Sequence, residues 1–203
     1  MDVEKTLASL KRNNMQGFYL ENRSGLFPLL GTLIPDGSSV GWGDSVTLEQ
    51  LGVYGNMRDK GYNLYDKHKL GLSKEEKRNI YLACFGVDTF LTGVNAITAD
   101  GKLFNIDGNG SRVAPMLYGP KQVIVIAGVN KITDTVEDAV KRARQTAAPL
   151  DAKRLGRHTP CVRLGYCTDC HHEQRICNDF VLITGQFVKD RIKVILINEA
   201  LGY

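Results

Sequence analysis

The sequence predicts an α/β protein with a layered, mostly parallel sheet and helices on both faces. Gln122–Ala127 (QVIVIA) is an unbroken apolar run rich in β-branched residues, typical of a strand buried on both faces. Amphipathic helical stretches alternate loosely with other β-rich runs, and no repeat or long linker divides the chain. We therefore expect residues 1–203 to form one domain of about eight strands and five to six helices.

Composition and charge limit the classes of function. The chain has 203 residues, 43% of them hydrophobic, and a formal net charge of +4 with its basic residues spread out. This modest charge disfavours nucleic acid as a partner. No apolar run approaches the roughly 20 residues of a membrane span, and the segment MDVEKTLASLKRN has no apolar signal core. We expect a cytoplasmic protein with no membrane partner.

The first elements follow from periodicity and turn signals. Residues 2–14 form an amphipathic helix pattern, and Phe18–Leu20 is a β-rich run. A helix is expected from Ser24 to Leu33, ended by the turn residues of Pro35-Asp36-Gly37. The pattern thus predicts a helix, a strand and a second helix before the first candidate binding loop.

A strand, a glycine turn and a helix are predicted around residues 39–60. The helix Thr47–Lys60 is opened by Ser45 or Thr47, and its first turn offers free N–H groups beside glycines that allow close backbone approach. The alternative is a capped turn without a ligand, because Thr47 and Gln50 have capping-box spacing. The ligand-binding candidates in this turn are Gly41, Gly43, Asp44 and Ser45.

The middle of the chain predicts a strand, a capped helix and a hairpin. Tyr62–Tyr65 is a strand candidate, and Ser73–Leu82 is a helix in which Ser73 and a glutamate three residues later form a capping box. The runs Thr89–Thr98 and Lys102–Ile106 are joined by Asp100-Gly101, a pair that favours a tight primed turn.

Polar residues and glycines at the end of the hairpin predict a second binding loop. A strand that ends in Asn and Asp, continues through glycines and enters the short helix Arg112–Tyr118 presents N–H groups to an anion. In the alternative reading, the Asn and Asp side chains only cap that helix. The ligand-binding candidates here are Thr92, Asn95, Asn105, Gly108, Gly110 and Arg112.

This loop also supplies candidates for catalysis. Arg112 is the expected clamp for a carboxylate or phosphate, because its planar fork binds either group bidentately. Asp107 is the candidate base and Lys131 a second acid–base group. We expect the two glycine turns to face one another across a cleft at the carboxyl-terminal edge of the sheet.

The C-terminal third combines regular elements with a cysteine-rich segment. A helix is expected at Thr135–Ala147, stopped by Pro149, and strands at Phe180–Thr184 and Lys193–Asn198. Within residues 156–178, the spacing C-x5-C-x2-C-x6-C predicts a metal centre whose ligands are Cys161, Cys167, Cys170 and Cys177.

The spacing of the cysteines leaves several chemistries open. It does not choose between an iron–sulfur cluster and zinc, and His171 or His172 could replace one thiolate. Unligated thiols, or a C-x-x-C redox pair with two bystanders, are the alternatives. Cys84 lies outside the motif and is expected to be a small buried hydrophobe.

Three motifs resemble the lactate-utilisation (LUD) domain family. They are VGWGDSVTLEQLG, PCVRLGYCTDCHHEQRICN and FLTGVNAITADGKLFNIDGNGSRVAPMLYGPKQVIVIAGVNKI. The resemblance implies a Rossmann-like sheet related to the sugar-phosphate isomerase and CoA-transferase group. It also implies a place in lactate-type organic acid metabolism, where founding members sit beside iron–sulfur and oxidoreductase subunits. Expected partners are a small anionic metabolite, oxidoreductase subunits and a second copy of the chain.

The resemblance does not imply a settled reaction. The sequence contains no nucleophile elbow, H-E-x-x-H motif or Walker loop, and GNGSR is not a dinucleotide fingerprint. Two functions therefore stay open: an enzyme acting on a small carboxylate or phosphorylated anion, and a non-catalytic, metal-stapled subunit or metabolite sensor of an oxidoreductase complex.

Overall fold

The computed structural model describes residues 2–203 and contains two β-sheets. The strands of the larger sheet are β1 (Gln16–Leu20), β2 (Ser39–Trp42), β3 (Asn63–Tyr65), β4 (Thr89–Thr92), β7 (Gln122–Gly128) and β10 (Ile192–Ile197). Its strand order is β1-β10-β7-β4-β2-β3, and every neighbouring pair is parallel. β7 therefore lies inside the sheet, and the prediction of a central strand at Gln122–Ala127 is confirmed.

The smaller sheet is mixed. Its strands are β5 (Ala96–Thr98), β6 (Leu103–Asp107), β8 (Ile132–Thr133) and β9 (Asp179–Ile183). Its order is β8-β5-β6-β9, with β5 parallel to β8 and β6 antiparallel to both of its neighbours.

Helices cover both faces of the larger sheet, as predicted. They are α1 (Val3–Arg12), α2 (Leu26–Leu33), α3 (Val46–Gln50), α4 (Val53–Arg58), α5 (Lys74–Ala83), α6 (Val113–Leu117), α7 (Val136–Arg142), α8 (Ala148–Arg154) and α9 (Pro160–Leu164). Alternate residues of β7 enter opposite cores: Val123 and Val125 pack with Leu10 of α1, whereas Ile124 and Ile126 pack with Leu30 of α2. Both faces of β7 are thus covered by apolar side chains, which explains its unbroken apolar run.

The predicted run Thr89–Thr98 is not one strand. Its first half, β4, belongs to the larger sheet, and its second half, β5, crosses into the smaller one. The change occurs at Gly93, where a Cβ atom would collide with Ser45 Oγ. The hairpin itself is confirmed, but only Gly101 has positive φ, at 79°. The β5–β6 connection is therefore not the predicted primed turn.

Two predicted helices differ from the observed ones. Thr47–Lys60 is divided at Gly52, whose φ of 68° is left-handed, and Ser45 rather than Thr47 caps α3 by accepting the N–H of Leu48. Pro149 does not stop the helix that was predicted at Thr135–Ala147. A π-helical turn, Ala143–Ala147, links α7 to α8, and Pro149 occupies the first turn of α8, where a missing N–H costs little.

The remaining expectations concern capping, element number and membrane spans. The capping box of Ser73 and Glu76 is present at the start of α5. The structure has ten strands and nine α-helices within residues 2–203, more than predicted, because several elements have only two to five residues. None of the helices in the described part of the chain is both long and apolar enough to cross a membrane.

Candidate functional site

A cavity of about 490 Å³ opens where the strands of the larger sheet reach their carboxyl ends. Its wall includes Asp44 and Ser45 after β2, Asn95 after β4, and Lys131 after β7. The turn after β6 completes it with Asp107 and other residues, although β6 belongs to the smaller sheet. The two turns that the sequence singled out therefore line the same cavity.

Seven of the residues predicted for catalysis or ligand binding line this cavity: Asp44, Ser45, Asn95, Asp107, Gly108, Arg112 and Lys131. The other five, which are Gly41, Gly43, Thr92, Asn105 and Gly110, do not.

Packing accounts for several of those five. A Cβ atom on Gly41 would lie 2.6 Å from Cys84 Sγ, so this glycine gives room to a buried thiol rather than to a ligand. Asn105 and Thr92 are fully buried, and Asn105 holds the side chain of Arg112 from behind the cavity wall.

Arg112 is partly buried, with 13% of its side chain exposed, and most of its donors are already bonded. Its Nη1 donates to Asn105 Oδ1 at 2.6 Å, and its Nη2 donates to Ile106 O at 2.8 Å and to Asn95 Oδ1 at 3.2 Å. Burial lowers the pKa of its guanidinium, although the nearby charge of Asp107 acts in the opposite direction. The contacts of Arg112 thus favour a structural role that joins β6 to the loop after β4, with little capacity left to clamp an anion.

Asp107 is a capping residue. Its Oδ1 accepts the N–H of Gly108 at 2.7 Å, and its Oδ2 accepts the N–H groups of Arg112 and Val113 at 3.1 Å each. Three backbone donors satisfy the carboxylate and begin α6. The alternative reading of this motif, in which the Asp caps the following helix, agrees with these contacts better than a base does.

Lys131 lies in the turn after β7, with only 4% of its surface exposed. Its Nζ donates to Thr47 Oγ1 and to Val94 O, both at 3.0 Å. Burial, together with the positive charges of Arg142 and Arg112, lowers the pKa of the Lys131 ammonium to about 7. A substantial fraction of this amine is therefore neutral near neutral pH.

Asp44 belongs to an ionic cluster at the cavity rim. Its carboxylate lies 3.2 Å from Lys67 Nζ and 2.9 Å from His68 Nε2. Burial alone would raise the pKa of Asp44, but the hydrogen bond with His68 and the charge of Lys67 outweigh it, and the pKa lies below its ordinary value. Lys67 and His68 were not among the predicted site residues, although both follow β3 at the same edge of the sheet.

Three further arginines of the cavity wall were not among the predicted site residues. Arg154 and Arg157, from the end of α8 and the segment after it, line the cavity together with Arg175 of the cysteine-rich segment. Arg154 Nε bonds to Asp151 Oδ1 at 2.8 Å, whereas Arg157 makes no side-chain hydrogen bond or ion pair with any residue in 2–203. The basic run KRLGR, at residues 153–157, was the sequence feature that could have indicated these cations.

The four cysteines of the motif line a second, smaller cavity beside the first. Cys161, Cys167, Cys170 and Cys177 all contribute to its wall. Arg175 and Ile176 border both cavities, so the cysteine-rich segment also forms part of the first one. The donor set suits a thiophilic metal. No three His, Cys, Asp or Glu side chains in residues 2–203, however, are already arranged to hold an ion.

Fold and site together define an α/β protein whose strand-exit loops surround a cation-lined cavity. The chain belongs to the LUD domain family, whose model matches residues 3–197. A search of curated proteins finds no match.

Comparison with solved structures supports the fold. A DUF162 family protein from Deinococcus radiodurans superposes with a TM-score of 0.54 at 13% identity, covering 97% of this chain and 99% of that chain. This likeness shows a shared fold alone. Ribose 5-phosphate isomerase from Plasmodium falciparum reaches a TM-score of 0.32 at 12% identity over 55% of this chain and 52% of its own. A tetrameric eIF2B-beta2-delta2 complex from C. thermophilum reaches 0.41 at 17% identity, over 86% and 55%.

Proposed function

We propose that the larger cavity binds a small organic anion, a carboxylate or a phosphate ester of the kind handled in lactate-type metabolism. The proposal rests on the charged groups of the cavity wall, in which every acidic side chain is compensated but one arginine is not. Each acidic group of the wall is already compensated: Asp44 by Lys67 and His68, Asp107 by backbone N–H groups, and Asp151 by Arg154 and Tyr203. The cation of Arg157 has no such partner among residues 2–203.

The cavity has the size and position of a ligand site. Its volume of about 490 Å³ falls within the range of known small-molecule sites. It lies at the carboxyl ends of parallel strands, where α/β proteins bind ligands. Arg157, rather than the largely bonded Arg112, is the proposed partner of the anion. Arg175 borders the same cavity, but its guanidinium already donates to the backbone oxygens of Cys170 and Cys177 and pairs with Asp169.

Calorimetric titration of lactate, ribose 5-phosphate and a CoA ester would test this proposal. We expect at least one of them to bind, and Arg157→Gln to weaken that binding by about 1.5–3 kcal/mol, because a charge-assisted bond is lost. Arg163→Gln is the matched control, since Arg163 is exposed on α9 and outside the cavity wall. Failure of every ligand to bind, or an equal loss in the control, would contradict the proposal.

A second candidate function concerns the cysteine cavity. We propose that Cys161, Cys167, Cys170 and Cys177 hold zinc or an iron–sulfur cluster, because all four line one small space. Such a centre would supply either a closed structural clamp or electron transfer, and it would suit a non-catalytic subunit that assembles with an oxidoreductase.

Elemental analysis and an ultraviolet–visible spectrum of anaerobically purified protein would decide between zinc, a cluster and free thiols. We expect metal in the wild type and in Cys84→Ala, whose thiol lies outside the cavity wall. We expect none in Cys170→Ser. Metal-free wild-type protein would reject this candidate and leave the anion site untouched.

A further inference from the structure

We propose that the amine of Lys131 forms a covalent imine with the carbonyl carbon of a bound anion, so that the substrate class is a small ketone- or aldehyde-bearing carboxylate or phosphate ester. The proposal rests on the anion site proposed above and adds a reaction to it. Three properties of Lys131 carry it: its position in the cavity wall, its hydrogen bonds and the charges around it.

The position of Lys131 is determined by the centre of the sheet. The residue stands three positions after Gly128, the last residue of β7, and it lines the cavity with only 4% of its surface exposed. Its Nζ is held at 3.0 Å from both Thr47 Oγ1 and Val94 O, so the amine is oriented before a ligand arrives. Such preorientation favours attack on a bound carbonyl group.

The hydrogen bonds of Lys131 suit the neutral amine. An unprotonated amine has two hydrogens and one lone pair, and two oxygens accept from Nζ. No carboxylate of residues 2–203 forms an ion pair with Lys131. The charges that act on it are those of Arg142 and Arg112, which oppose its protonation.

A second buried lysine shows the contrasting, structural arrangement. Lys67 is as deeply buried as Lys131, but its Nζ lies 3.2 Å from Asp44 Oδ2 and 4.9 Å from the ring centre of Tyr81. Lys67 does not line the cavity. Lys67 is therefore an internal control, because the proposed reaction requires an amine that has a free lone pair and that a ligand can reach.

The reaction is balanced without an oxidant or reductant. The lone pair of Nζ forms a bond to the carbonyl carbon, and the oxygen takes a proton to give a carbinolamine. Loss of that hydroxyl together with a proton from nitrogen releases one water molecule and leaves the carbon–nitrogen double bond. Hydrolysis reverses these steps and restores the amine.

Reductive trapping tests the proposal directly on the wild-type protein. Incubation with pyruvate or dihydroxyacetone phosphate and cyanoborohydride should attach one ligand-derived group per chain, which peptide mass spectrometry should locate on Lys131. Lys67 should stay unlabelled. Labelling that is absent from Lys131, or no stronger there than on exposed lysines, would overturn the imine.

Calorimetry with the same two compounds separates this proposal from the anion site. Binding without trapping would reject the imine and retain the site. Absence of binding by both compounds would also reject the imine, whereas the anion site would be rejected only if lactate, ribose 5-phosphate and the CoA ester failed to bind as well. Lys131→Met should lose the labelling. The trapping rate of the wild type is also followed from pH 6 to 9, which tests the proposal without relying on the folding of that variant. A rise at Lys131 centred near pH 7 is expected, and a rate that only begins to increase near pH 9 would contradict the proposal.

Discussion

The side chain of Arg112 crosses the backbone of Gly43 so closely that a Cβ atom on residue 43 would lie 2.6 Å from Arg112 Cγ. Only a glycine leaves this path open. The guanidinium beyond it reaches Asn105 Oδ1 and Ile106 O, so the turn after β2 and the strand β6 are held together by one partly buried arginine. The relationship explains Gly43 by packing, where the sequence suggested contact with a ligand.

Gly43→Ala should therefore destabilise the protein by about 1–3 kcal/mol, because the new methyl group forces Arg112 out of its path. Urea denaturation would measure the free energy of unfolding. Gly55→Ala is the control: Gly55 lies in α4 with no atom within 4 Å of its Cβ position, and alanine there should be neutral or slightly stabilising. Equal stability of Gly43→Ala and wild type would contradict the packing argument.

Arg112→Lys should also be destabilising, by about 2–4 kcal/mol, despite keeping the charge. A lysine cannot reproduce the planar fork, so buried acceptors such as Asn105 Oδ1 and Ile106 O lose their donors. Thermal and urea unfolding would measure the loss. Arg163→Lys on the exposed side of α9 should change stability by less than about 0.5 kcal/mol. A tolerated Arg112→Lys would return Arg112 to consideration as the anion clamp.

We expect Lys131 to make the free energy of unfolding increase as the pH rises above 7. Its pKa is about 7 in the folded chain and 10.5 ordinarily, so between those values the unfolded chain binds the extra proton. The contribution is fully present above pH 10.5 and is lost as pH falls to 7, with a slope of up to about 1.4 kcal/mol per pH unit. Denaturation from pH 7 to 9 would show it, before tyrosine ionisation interferes.

Lys131→Met should flatten that dependence, whereas Lys60→Met, at an exposed position, should leave it unchanged. Comparing slopes rather than absolute stabilities removes contributions of other buried lysines such as Lys67, whose pKa burial also lowers. Identical slopes for wild type and Lys131→Met would show that Lys131 keeps its proton in the folded protein.

Val125→Asp should unfold the protein or cost more than about 4 kcal/mol. Val125 is fully buried in β7 within an apolar cluster, so a carboxylate there would be desolvated. Circular dichroism and urea titration would report the effect. Thr184→Asp, at an exposed position after β9, should be nearly neutral.

Cys170→Ser, or a chelator, should loosen residues 156–178 before the rest of the chain unfolds, if the cysteines hold a metal. A site that is not preformed couples metal binding to local folding. Hydrogen exchange would reveal faster exchange in that segment alone. Unchanged protection after chelation of wild-type protein would show that no metal organises it.

The sequence by itself determined the features that depend on near neighbours. The strand β7 followed from the five consecutive apolar residues Val123–Ala127, the cap of α5 from Ser73 and Glu76 three residues apart, and the β5–β6 hairpin from Asp100-Gly101. Each of these elements is predicted by residues that are close together in the chain, without any contribution from distant residues. The sequence also anticipated that the turns after β2 and β6 line one cavity. The expected reason, that parallel strands end at one edge, does not apply to β6, because β6 is antiparallel to its neighbours in the smaller sheet.

Only the tertiary structure decided which side chains are available in that cavity. Arg112 and Asp107 have the residue types of a clamp and a base, yet their hydrogen bonds are filled by Asn105, Ile106 and backbone N–H groups. The fold lowers the pKa of Lys131, and it leaves the guanidinium of Arg157 without a side-chain partner among residues 2–203. Whether a side chain can contact a ligand depends on its burial and on partners that are distant in the chain. The spacing of nearby residues does not predict either.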